Sequence, residues 1–138
     1  QMCIRDRNNQ DYLTEVTNEV MALGPYFRAV VDSLDFFLQR DDPARVVAMV
    51  RMLQAHAQMY RGLLFITVST DGLSPNVKQE LASIADMVLS FQVRTIGTDF
   101  ETSMMVSKFR NAPENLKILV FRVTPEEGIT PETVERIA

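Results

Sequence analysis

Over residues 8–23, apolar residues recur at three- and four-residue spacing. Leu13, Val16, Val20 and Leu23 share one face, with Glu15, Asn18 and Glu19 away from it. That period predicts an amphipathic helix. Gly24-Pro25 stops it, since Gly suits the left-handed position past a helix end and Pro cannot continue the helix. The pattern then becomes a continuous run, Ala29-Val30-Val31, cut off at Asp32-Ser33, and a second apolar run over 34–38 follows at once. A continuous β-branched run predicts a strand over 27–32, buried on both faces. After a polar connection over 39–43, Asp41 or Asp42 caps a second helix, with Pro43 in its first turn. This helix runs to about Tyr60. Val46, Val50, Leu53, Ala57 and Tyr60 form one face, and Met49, Met52, His56 and Met59 widen it, so the helix is expected to be buried over much of its circumference. Gly62 ends it. Residues 63–68 form a second buried strand, which stops at Ser69-Thr70-Asp71-Gly72. A helix of about seventeen residues between two such runs is the crossover that parallel strands require.

Ser74-Pro75 opens a third helix, with Leu81, Ile84 and Ala85 facing inward. Near residue 86 the period changes to two: Met87, Leu89, Phe91 and Val93 alternate with Val88, Ser90 and Gln92. Two more β-rich stretches, 102–109 and 117–123, are joined by turn-like connections at 96–100 and 111–115. Residues 124–128 read as a turn. Thr130-Pro131-Glu132 reads as a helix start, so 129–138 is expected to be a short terminal helix. The fold class is therefore α/β: a partial parallel sheet with crossover helices, followed by an antiparallel β meander.

Composition changes this picture little. The chain has 138 residues, 46% hydrophobic and 23% charged, with a net charge of −4. This is ordinary for a globular protein, and the acidic balance lacks the basic footprint of a nucleic-acid binder. One cysteine, Cys3, excludes an internal disulfide and a cysteine-rich zinc site, in keeping with a reducing, cytoplasmic setting. No apolar run reaches the roughly 18 residues of a membrane span. Residues 1–7 have neither period nor cap logic and read as a non-native leader, with 8–138 the carboxyl-terminal portion of a larger domain.

Candidate chemistry sits at the ends of the runs. Asp32 lies where open α/β sheets place ligands, but an Asp at a strand end also forms turns and caps helices. Thr67 and Ser69 end the second strand and serve turn chemistry as well as ligand contact. Lys108 and Arg110 alternate along one strand face, about 7 Å apart. Two such cations suit phosphate oxygens, and they equally suit an edge strand kept soluble by charge. His56, the only histidine, has no Cys or His partner in the pattern and reads as a helix residue near a packing edge.

The order of these parts resembles the second half of the RecA-like P-loop ATPase core, in particular its archaeal KaiC-like branch. In that family an apolar strand ends in Asp-Ser after a helix and a Gly-Pro-type break, as at Asp32-Ser33. A later strand ends in hydroxyl sensors, where Thr67, Ser69 and Thr70 stand. An Ala-Asp step starts the terminal meander, as at Ala85-Asp86. A Lys-x-Arg-Gly step follows, matched at Lys108-Phe109-Arg110 with Asn111 in place of Gly, and a final Gly-Ile is matched at Gly128-Ile129. The resemblance covers roughly residues 10–130 and implies ATP and Mg²⁺ as ligands. Asp32, with Ser33, would lie at the nucleotide and orient the Mg²⁺ water shell, while Thr67 and Ser69 would act as sensors. Lys108 and Arg110 would be fingers reaching the ATP of a neighbouring subunit, in a ring or filament, expected to be a hexamer.

There are departures. No G-x-x-x-x-G-K-[ST] motif is present, and the family's catalytic carboxylate lies upstream of the Asp-Ser strand. The chain by itself is expected not to hydrolyse ATP. Three rivals remain open: a phospho-acceptor receiver domain, in which a strand also ends in Asp; a recombination or repair ATPase, whose DNA loops should be basic or Gly-rich, unlike 94–101; and a degenerate regulator that binds ATP without turnover.

Overall fold

The computed structural model describes residues 11–96, 99–110 and 118–132. The chain divides into two compact units, Gln1–Ile84 and Ala85–Ala138. The boundary falls where the hydrophobic period switches from helical to alternating. The expected leader at 1–7 lies outside the described residues.

The first unit contains α1 (Tyr12–Met21), β1 (Arg28–Val31), α2 (Asp35–Leu38), α3 (Pro43–Met59), β2 (Leu63–Ile66) and α4 (Pro75–Ile84). Both early helices start on an aspartate. Asp11 accepts the backbone N–H and hydroxyl of Thr14, and Asp42 accepts the N–H of Ala44. Each satisfies an orphan donor of a first helical turn. These hydrogen bonds, led by the Thr14 hydroxyl and joined by the Arg45 guanidinium, hold the Asp11 carboxyl below the usual range. Arg45 also bonds Asp41, so one cation ties α3 to the start of α1.

β1 and β2 pair in parallel, Val31 opposite Ile66, with α3 as the crossover. Val31 and the half-buried Ala29, Leu64 and Ile66 pack on a core in which Leu34, Val46 and Leu53 are fully buried. Each such side chain contributes about 1.5–3 kcal/mol through its removal from water. The other sheet face corrects the sequence expectation: Val30 is 68% exposed and Phe65 53%. The strands alternate in burial because α3 covers one face only. The expected broad burial of α3 is likewise narrower, since Met49 is buried but Met52 and Met59 are exposed. The apolar run over 34–38 is the single turn α2, which places Leu34 and Phe37 in the core.

His56 is also corrected. It is buried, not at a packing edge. Its ring stacks on Phe27 at 5.3 Å and lies 4.5 Å from Tyr60, and its Nε2 is 3.0 Å from the Leu23 carbonyl oxygen. It closes the last turn of α3 onto the end of α1. Gly62 lets Phe27 approach: a Cβ there would stand 2.3 Å from the Phe27 ring.

The second unit is one antiparallel sheet in the order β3-β4-β5-β6: β3 (Met87–Ile96), β4 (Asp99–Phe109), β5 (Ile118–Thr124) and β6 (Gly128–Glu132). Met87, Leu89, Phe91 and Val93 share one face with Met104 and Leu119 through the pairing register. A shift between Val88 and Leu89 leaves Ser107 unpaired, and its hydroxyl bonds that of Ser90 at 2.8 Å. β6 overturns the helix start expected at Thr130-Pro131-Glu132; residues 133–138 lie outside the described residues. Gly128, at φ 70°, closes the turn, Ile129 pairs with Val123, and Pro131 sits on an edge strand where its missing N–H is tolerated. Long-range ladder bonds outweigh a local helix-start signal.

Candidate functional site at the carboxyl ends of the parallel strands

The parallel register of β1 and β2 brings their polar ends together. The ladder continues one step past both strands: the Thr67 N–H donates to the Val31 carbonyl at 3.1 Å, and the Leu34 N–H to the Thr67 carbonyl at 3.0 Å. Asp32 and Thr67 therefore stand side by side, and the Thr67 hydroxyl donates to Asp32 Oδ1 at 2.5 Å. Both side chains are exposed, and the peptide between Asp32 and Ser33 is cis. Two residues 35 positions apart are thus joined at the sheet edge where open α/β folds bind ligands.

A third residue, not among the sequence candidates, completes the cluster. Asp35 opens α2, and its two carboxylate oxygens lie 3.2 and 3.1 Å from the Ser69 backbone nitrogen. The neighbouring Ser33 hydroxyl is the main cause holding the Asp35 carboxyl below the usual range. Partial burial acts the other way, and the Ser69 N–H adds to the lowering. Ser69 in turn accepts the Asp71 N–H at its own hydroxyl. Of the expected site residues, Asp32, Ser33, Thr67 and Ser69 are therefore brought together. The only sequence signal for Asp35 was a second acid three positions after Asp32.

The donor set suits a hard divalent cation held sparingly. Asp32 keeps lone pairs beyond the one engaged by Thr67. Among the described residues no group of three or more His, Cys, Asp or Glu gathers to enclose a metal. Mg²⁺ is typically bound by one or two carboxylates, with waters and phosphate oxygens supplying the rest, so these residues fit it.

Lys108 and Arg110 belong to the second unit. The bulge keeps Lys108 opposite Val88 near the end of β4, and Arg110 lies just past the strand. Arg110 is engaged within its own chain. Its Nη1 pairs with Asp86 Oδ1 at 2.7 Å, and its N–H donates to the Asp86 carbonyl at 2.9 Å. The Ala85-Asp86 step and the Lys108-Phe109-Arg110 step, separate in sequence, are one ion-paired corner. Asn111 lies outside the described residues.

Among the described residues no helix is long and apolar enough to cross a membrane. Two solved structures share this fold. The KaiC-like protein PH0186 from the hyperthermophilic archaeon Pyrococcus horikoshii OT3 superposes with a TM-score of 0.61 at 18% identity, covering 94% of this chain and 56% of its own. The flagellar accessory protein FlaH from Methanocaldococcus jannaschii gives 0.66 at 19% identity, covering 88% and 54%. The chain thus has an α/β fold of the RecA-like kind and spans about half the length of these structures. No curated protein matches it. A family model described as a family of unknown function, DUF7125, matches residues 1–130, and the chain belongs to that family.

Proposed function

We propose that this chain carries the metal-side part of an ATP-hydrolysing site of the RecA/KaiC-like kind, as the carboxyl-terminal portion of a larger ATPase core. The observation that carries the reading is the Asp32–Thr67 pair, an exposed carboxylate and a hydroxyl hydrogen-bonded across the ends of adjacent parallel strands. The fold shared with PH0186 and FlaH supports it. The receiver alternative expects α/β units to continue past residue 85, whereas β3 to β6 are antiparallel.

In this reading Asp32 orients the water shell of a Mg²⁺ ion bound with ATP, and Ser33 lies beside it. Thr67 holds Asp32 in place, and Thr67 and Ser69 report the state of the nucleotide. The cation, when bound, neutralises charge on the transferred phosphoryl group. Lys108 and Arg110 add positive charge from a neighbouring subunit of a ring, expected to be a hexamer. For Arg110 this means exchanging Asp86 for phosphate oxygens, one charge partner for another, so the corner is held ready at small cost. Such cations are worth about 10³–10⁵ in rate in other phosphoryl-transfer systems. A dependence on subunit contact would tie hydrolysis to assembly.

The test uses the full-length polypeptide. Mg²⁺-dependent ATP hydrolysis is expected, with Asp32→Ala and Arg110→Ala each losing most of it while Arg110→Ala still binds nucleotide. Mixing the two inactive variants should restore part of the activity, because some interfaces then pair an intact Asp32 with an intact Arg110. No recovery on mixing would sink the assignment across subunits, and no ATP binding by the unmutated protein would sink the function.

A further inference from the structure

The Asp32–Thr67 pair sits on backbone that leaves both strands immediately. β1 ends at Val31 and β2 at Ile66, so the reactive ends are turns, which nothing in the sheet itself holds beyond Thr67. What spans the two turns is Asp35. Standing at the start of α2, just after the first turn, it receives the Ser69 N–H of the second turn with both carboxylate oxygens in reach. The contact lies close to the pair on both sides: Asp35 is three positions past Asp32, and Ser69 is two past Thr67. A hydrogen bond to an ionised carboxylate is stronger than a neutral one. Asp35 also has little to do for its own helix, since α2 is only four residues long. Its bonds run to the neighbouring strand end instead.

We propose that Asp35 is the positioning residue of this site: by receiving the Ser69 N–H with both carboxylate oxygens in reach it fixes the second turn against the start of α2 and keeps the Asp32 carboxylate and Thr67 hydroxyl aimed at a shared metal–nucleotide ligand. The proposal rests on the ATP-binding reading for the identity of the ligand, and the clamp itself stands on the geometry. Asparagine at this position could still accept the Ser69 N–H through its carbonyl oxygen, but it lacks the charge. Alanine removes the acceptor altogether.

The experiment compares Asp35→Ala, Asp35→Asn and Asp35→Glu with the unmutated full-length protein in three measurements: the Mg²⁺ concentration for half-maximal ATP hydrolysis, nucleotide affinity without metal, and backbone amide exchange over 67–71. Loss of hydrogen bonds to a charged group should raise half-saturating Mg²⁺ about tenfold in the alanine variant. The asparagine variant should show less, the glutamate variant should recover part of the effect, and metal-free nucleotide affinity should stay unchanged. Exchange at Ser69 should quicken by about the same factor, with α3 unaffected. An unchanged Mg²⁺ requirement per folded molecule, with only a lower unfolding midpoint, overturns the positioning role. If the unmutated protein binds no ATP, the ligand reading fails. Amide exchange then judges the clamp alone: faster exchange at 67–71 in the alanine variant upholds it, and unchanged exchange overturns it.

Discussion

The first unit buries one face of a two-stranded parallel sheet under α3 and leaves the other bare. The second unit, a larger sheet, buries neither face: among the described residues from Ala85 onward none is fully buried. The contrast is not one of composition. The face of β3 carrying Leu89, Phe91 and Val93 is as apolar as anything in β1, yet Phe91 is 62% exposed and Val93 67%. Hydrophobic stabilisation follows area removed from water, not the residue type. The first unit is therefore held by its core, and the second mainly by its hydrogen-bond ladders and cross-strand pairs. The proposed chemistry is distributed accordingly, with the Asp32–Thr67 pair next to the rigid core and Arg110 on the less buried sheet.

The largest effect should separate the two units directly. Leu53, with no exposed surface, loses its packing partners in Leu53→Ala, and such truncations cost about 2–5 kcal/mol. Phe91→Ala removes a larger side chain but vacates solvent, so it should cost under about 1 kcal/mol. Urea unfolding followed by circular dichroism measures both. A Phe91→Ala loss equal to that of Leu53→Ala would show that the second sheet has a cover in solution.

A smaller effect sharpens how the first unit is packed. Gly62→Ala would place a methyl group 2.3 Å from the buried Phe27 ring, which is itself stacked on His56. The ring has little room to yield, and overpacking of this kind costs about 1–3 kcal/mol. The same substitution at Gly24, where nothing lies within 4 Å of the added Cβ, should be close to neutral. Paired unfolding midpoints check this, and equal midpoints for the two variants would mean that Phe27 is not held where the structure has it.

The element order, apart from α2 and β6, was legible in the sequence because it rests on local signals. The cap at Asp42, the Gly-Pro break and the switch of period near residue 86 each act over a few residues. Asp32, Ser33, Thr67 and Ser69 were legible as strand ends. What escaped was whatever a distant segment decides. Val30 and Phe65 have the same pattern whether or not a second layer covers them. His56 is buried against Phe27 and meets the Leu23 carbonyl, neither of them on its own helix. Thr130-Pro131-Glu132 starts a helix only if β5 is absent as a partner. Asp35 is the clearest case, since an acid at a helix start is ordinary and its role depends on Ser69, 34 positions away.

The smallest effect is electrostatic and belongs to the first unit. Asp11 and Asp35 both have carboxyl groups held below their usual range, by Thr14 and by Ser33 respectively. A carboxyl whose folded pKa is depressed stays ionised in the native state at pH values where the unfolded chain has already taken up a proton. Its contribution is present in full above the unfolded pKa, near 3.9 for Asp, and disappears as pH falls through the lower folded value. Stability of the first unit should therefore fall on the acid side of about pH 4, and Asp35→Asn should flatten part of that fall without changing the plateau's pH dependence above it. Both groups lie at or near the surface, so salt should weaken the Arg45 share of the Asp11 effect, while the hydrogen-bonded share from Thr14 should persist. Unfolding midpoints collected across that pH range at low and high salt measure both effects. A fall that Asp35→Asn leaves untouched would place the acid sensitivity at the cap of α1 and not at the strand-end clamp.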